Sequence, residues 1–195
     1  MIRFWKENSS LIVKLMITQF GMAVFGLLLN SAASMSENTV LVVIFSVFSV
    51  IFYLFLLYTA VWDFGAKDKL KIEGKRLAPR PLHGLWVSLY ANIPNLLLSA
   101  VATVAYLIID KSVTNADGAF IQPVWAVNLF AVAHVIGSYL ASVYMGITET
   151  IGIVGLPFTV ALCTLPSLAA CALGYWFGTK ERFPIVPEKN AGKDF

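Results

Sequence analysis

The chain has 195 residues, of which 58% are hydrophobic and only 13% charged, with a net charge of +3. A soluble domain carries roughly twice that charge fraction, and no basic stretch suggests a nucleic-acid surface, so both classes are excluded. The apolar residues come in blocks of about 20, enough to cover ~30 Å of hydrocarbon, and lipid offers backbone groups no partner, so the blocks are helices.

The first block runs from Leu11 to Ala33, with Lys14 near its start and Gln19 and Asn30 as its polar members. Lys14 lies within a turn of the expected interface, where its stem snorkels to water. A cleaved signal peptide is the rival reading, with Arg3 and Lys6 as basic region and Ser31-Ala32-Ala33 as cleavage site. Gln19 and the length of the block count against it. Ser34 to Thr39 is a polar turn, and Val40 to Trp62 is a charge-free span. Tyr58, Trp62 and Phe64 cluster at its end like an interfacial aromatic belt.

Asp63 to Leu85 is the longest hydrophilic segment, with Lys67, Lys69, Lys71, Lys75, Arg76 and Arg80 set against Asp63, Asp68 and Glu73. Pro79 and Pro81 keep its end from regular helix. The third span, Trp86 to Ile109, is interrupted at Asn92-Ile93-Pro94-Asn95, and the polar loop Asp110 to Pro123 holds one basic residue, Lys111. Val124 to Met145 is the weakest span, broken by Asn128 and His134; a Gly-rich connection, Gly146 to Pro157, contains Glu149. Phe158 to Phe177 is the last span. Within it Cys163 and Cys171 lie ~12 Å apart on a helix, beyond disulfide reach, and read as buried thiols. The expected fold is an all-α integral membrane domain over residues 1–178, a compact bundle of about five hydrophobic helices with four to six crossings. A polar tail, residues 179–195, follows.

Charge distribution orients the bundle. Basic residues favour the cytoplasmic side of short loops, which puts the 63–85 loop inside and the chain in the cell membrane. Leaving out Lys14, five crossings place eight Lys and Arg on that face and five on the other, four of these in the tail. An even number leaves twelve inside and one, Lys111, outside. Two variants give it: Val124 to Met145 dips into the membrane without crossing, or Gly146 to Pro166 is a re-entrant hairpin.

Three constellations stand out. Ala133, Gly137 and Ala141 on the fourth helix and Ala170, Gly174 and Gly178 on the fifth recur four apart, as small residues do where backbones approach closely, and the two ridges are expected to pack together. His134, the one ionisable group near mid-span, is a candidate polar site with Asn92 and Asn95; the bland alternative is a neutral imidazole bonded to a neighbouring helix. Proline at 94 frees a backbone carbonyl one turn earlier, the kind of break that supplies ligand oxygens in transporters and elsewhere is a plain kink. The six basic residues from Lys67 to Arg80 are candidate lipid-headgroup contacts, or only an orientation signal.

Two motifs mislead. Asp63-Phe64-Gly65 spells the kinase metal-binding triplet without its companions, and Asn8-Ser9-Ser10 fits a glycosylation sequon on the expected cytoplasmic side. No metal, cofactor or catalytic cluster is visible, so the leading expectation is a non-enzymatic accessory, scaffold or assembly partner, working with a membrane-protein partner or as a homo-oligomer. A small transporter or channel component with a polar cavity at the midplane is the alternative. A lipid-modifying enzyme comes third and requires Asp63, Asp68, His83 and Glu149 to converge at one interface.

Overall fold

A computed structural model describes residues 2–36, 38–78, 80–110 and 123–180. In order these form α1 (Ile2–Ser34), α2 (Thr39–Glu73), α3 (His83–Ala91), α4 (Ile93–Asp110), α5 (Val124–Leu140), a 3-10 turn (Ser142–Tyr144), α6 (Met145–Ile151) and α7 (Thr159–Thr179). There is no strand among the described residues, and the chain is an all-α membrane bundle. Lys111 and the tail beyond Lys180 lie outside the described residues. Three helices, α1, α2 and α7, are long and apolar enough to cross a membrane; α3 with α4 (57°) and α5 with the turn and α6 (70°) are bent pairs.

Several boundaries differ from the sequence expectation, each for a local reason. Helix α2 does not stop at Trp62 but runs on through Glu73, because its charges sit at helical spacing. Lys67 pairs with Asp63 (2.7 Å), Lys71 with Asp68 (2.9 Å) and Lys69 with Glu73 (3.5 Å), contacts that reinforce a helix. Its start is fixed by Asn38, whose Oδ1 accepts from the Val40 amide at 3.0 Å, an N-cap. Helix α3 begins at His83, ahead of Trp86. Helix α5 ends at Leu140, not Met145, and part of the expected connection is the short helix α6, closed by Gly152 at φ +78. That left-handed conformation suits glycine.

The bundle is apolar outside and partly polar inside. The buried stripe of α2 is Ser46, Ser49, Tyr53, Leu57, Val61, Gly65 and Asp68, while Phe48, Ile51 and Phe55 face outward. In lipid there is little hydrophobic drive between helices, so close backbone approach and hydrogen bonds hold them together. Helices α2 and α7 run parallel on glycine. A Cβ at Gly174 would lie 2.7 Å from the Tyr58 carbonyl oxygen, and one at Gly65 2.7 Å from that of Tyr175. The two small-residue ridges therefore do not meet each other, although Gly137 does pack on α7, at Val160. Gly174 and Gly178 face Tyr58 and Trp62 of α2, whereas Gly137 faces Val160, whose Cγ2 would be 2.8 Å from an added Cβ. Ala133 is buried, and Ala141 and Ala170 are half-buried.

Contacts define the two ends. Asn8, Asp68, His83 and Tyr175 gather at one, with the basic segment after α2. Ser34, Asn38 and Thr39, the turn between α1 and α2, mark the other. Helix α5 lies beside α4, with Tyr106 on Phe130 (5.9 Å), and its last turn reaches Phe20 on α1 through Tyr139 (6.1 Å). The chain then turns back: Gly146 packs on Ser46 and Asn30, and Glu149 and Thr150 line a groove with Ser34, Asn38 and Thr39. Helix α7 runs from there to the basic end. Ala33 is buried and Asn30 is bonded into the bundle, so the segment read as a possible signal peptide is part of the packed core.

Candidate functional site

The two bent pairs break for different reasons and meet at the same place. Pro94 has no N–H to offer the Tyr90 carbonyl, so α3 ends and α4 starts at a new angle. Asn92, 3% exposed, bridges the gap: its Nδ2 donates to the Ser88 carbonyl (2.9 Å) and the Ser167 hydroxyl (3.3 Å). Asn95 Nδ2 donates to Asn92 Oδ1 at 3.2 Å.

The second break has no proline. Instead the carbonyls of the 3-10 turn are captured from outside the helix. Asn30 Nδ2 donates to the Ser142 carbonyl at 2.9 Å, and Ser46 Oγ to that of Val143 at 3.4 Å. Ser142 Oγ in turn donates to the Ala23 carbonyl at 2.5 Å. Gly26 permits the approach, since a Cβ there would lie 2.7 Å from Val143 Cα. Buried backbone oxygens must find donors, and these helices supply them by side chain.

Between the breaks lies a cavity of about 10 Å³ lined by Gln19, Tyr53, Asn92, Asn95, Tyr144 and Thr164 together with the apolar Leu140, Val143 and Val160. That volume is close to the least that holds one water. Gln19 stands eleven residues from Asn8 and eleven from Asn30, about 16 Å each way along α1, so the cavity is half-way through the bundle. Among the described residues the buried Tyr144 hydroxyl, Ser49 Oγ and Asn30 Oδ1 have no hydrogen-bond partner. An unpartnered buried polar oxygen is costly, about 1–3 kcal/mol; the Asn30 Oδ1 only accepts, whereas the two hydroxyls donate or accept. Toward the turn between α1 and α2, beyond Gly146, the groove around Glu149 opens with a volume of about 360 Å³.

At the basic end a second polar cluster closes the bundle. His83 Nε2 lies 2.8 Å from Asn8 Oδ1, and the Tyr175 hydroxyl donates to Asp68 Oδ2 at 3.2 Å. The His83 ring packs on Tyr175 (5.2 Å), Phe4 (5.3 Å) and Phe64 (5.8 Å). The kinase-like triplet is thus packing: Phe64 on His83, and Gly65 against α7. The sequon's Asn8 is buried beside His83.

Of the site residues proposed from sequence, the fold brings Asn92 and Asn95 together and leaves His134 apart. His134 is half-buried, stacked on Phe130 (5.3 Å), does not line the cavity, and has no hydrogen bond among the described residues. Asp68 and His83 converge through Tyr175, while Asp63 is engaged with Lys67 on the surface and Glu149 lies at the opposite end, so the four groups do not gather. Of the six basic residues, Lys67, Lys69 and Lys71 are neutralised within α2; Lys75, Arg76 and Arg80 make no ion pair among the described residues. No cluster of His, Cys, Asp and Glu able to hold a metal occurs among the described residues. Sequence reading missed Tyr53, Tyr144, Thr164 and Ser167; the signal for Tyr53 was its place four residues after Ser49 and seven after Ser46, on one helical face. Comparison with known protein families, characterised proteins and solved structures finds no match to this chain.

Proposed function

We propose that this chain is a multi-pass protein of the cell membrane that passes a water-sized hydrogen-bond donor or a monovalent cation through the junction of its two broken helices. The observation that carries this reading is the convergence of the Asn92 break and the Ala141–Tyr144 break on one polar cavity half-way through the bundle. Discontinuous helices meeting at mid-depth are how membrane proteins present backbone and amide oxygens to small solutes, and broken backbone is tolerated there only inside protein or beside water.

The topology that fits is four crossings, by α1, α2, α3 with α4, and α7, with α5 and α6 dipping from the far face and returning. It puts the 63–85 segment and the end of α7 on one side, which the positive-inside rule makes cytoplasmic. Glu149 then stands at the outer mouth, the orphaned oxygens of Asn30, Ser49 and Tyr144 lie on the way in, and Ser88, Ser167, His83 and Asp68 continue the polar track inward. The Asn30 amide oxygen, which only accepts, favours cations and hydrogen-bond donors over anions, and the two hydroxyls offer their lone pairs beside it. His134 is off this track. Gly137, Gly174 and Gly178 of the small-residue ridges pack on neighbouring helices of this chain.

Reconstitution into liposomes tests the proposal with three probes: potassium flux by a potential-sensitive dye, ammonium by internal pH, and water by stopped-flow scattering. At least one permeability rises well above that of empty liposomes, and Asn95→Leu abolishes it in protein that melts normally. Permeability equal to empty liposomes for all three probes, or flux indifferent to Asn95→Leu, overturns the proposal.

A further inference from the structure

At the basic end, where the polar track just described reaches His83, Phe4, Arg80, Pro81, Leu82, His83 and Trp86 line an open groove of about 380 Å³. Its walls are mostly carbon, and Leu82 (59%) and Trp86 (50%) are exposed, so the groove faces whatever surrounds the bundle. It lies where the apolar part of α3 begins and the charged end of α2 stops, which is the level of lipid headgroups. The cations around it are not equivalent. The lysines of α2 are each within 4 Å of a carboxylate, whereas the exposed Arg80 guanidinium has no ion pair among the described residues and stands at the rim of the groove.

We infer that this groove binds one anionic glycerophospholipid, its phosphate held by Arg80 and an acyl chain laid along Phe4, Leu82 and Trp86. Guanidinium is the side chain best matched to phosphate, through paired N–H donors. An indole with one apolar face and a polar edge settles at the headgroup level. A purely electrostatic attraction would use every basic residue at this end. The groove uses the one beside an apolar wall, so recognition needs both headgroup charge and chain. A lipid seated there ties the start of α1, through Phe4, to the start of α3, next to the His83–Asn8 contact.

Native mass spectrometry of the full chain in mild detergent, offered equal amounts of phosphatidylglycerol and phosphatidylcholine, tests this. The expected result is a single retained phosphatidylglycerol. Arg80→Gln weakens that retention about fivefold, the effect of one cation lost at an anionic surface. Lys67→Gln, at an ion-paired surface lysine, leaves it unchanged, and Trp86→Ala weakens phosphatidylglycerol and phosphatidylcholine alike. Equal retention of the two lipids overturns the inference, as does equal weakening by Arg80→Gln and Lys67→Gln, which would mark a diffuse basic surface. Displacement of the lipid by an equal concentration of inorganic phosphate also overturns it, because the site would then read phosphate without the chain.

Discussion

Asn30 holds the turn between α5 and α6 from a helix more than a hundred positions earlier in the chain. Its amide donates to both Gly26 and Ser142 carbonyls at 2.9 Å, while its Oδ1 is left free. Asn30→Leu strands the Ser142 carbonyl in a buried site, and should lower stability by about 1–3 kcal/mol. Thermal unfolding in detergent reads this directly; a change no larger than that of Lys67→Ala, at the surface, would mean that the turn is held by something else. His134 gives the opposite expectation. It is stacked on Phe130 and lies off the cavity, so His134→Phe should leave liposome permeability within error of the wild type. A collapse of permeability would put the track along α5 instead of along α7.

Among elements, the break before α4 was legible and the break after α5 was not. Pro94 announces the first, because a missing N–H acts on its own helix wherever the helix is placed. Nothing between Gly137 and Tyr144 announces the second, since its causes are Asn30, Ser46 and Gly26 on other helices. The same division explains the ridges. Small residues at a spacing of four reveal that a helix face is approached closely, but not by which helix, and α7 chose α2 over α5. The sequence also read Asp68 as one charge in a solvated loop; helical pairing extends α2 that far, and the Tyr175 hydroxyl and Lys71 make its burial tolerable. Gly174→Ala sets a Cβ against the rigid Tyr58 backbone, and overpacking of this kind costs about 1–3 kcal/mol. A melting temperature in detergent equal to that of the wild type would show that α2 and α7 separate without penalty.

For the whole molecule, an interior that mixes Ser, Asn and Tyr with Leu, Ile and Val, under a coat of Leu, Ile and Phe, departs from the usual arrangement in water, as suits a bundle dissolved in lipid. The dip proposed for α5 and α6 would also resolve the charge conflict visible in the sequence, since returning the chain to the face it came from would bring the end of α7 to the basic side. Sided labelling tests this most directly. Single cysteines at Lys75, Glu149 and Lys180, in a chain with Cys163 and Cys171 replaced by alanine, are exposed to an impermeant maleimide in right-side-out and inverted vesicles. The account predicts that Lys75 and Lys180 label from one side and Glu149 from the other. Labelling of Lys75 and Lys180 from opposite sides would mean a fifth crossing, and would contradict the turn at mid-depth on which the polar junction depends.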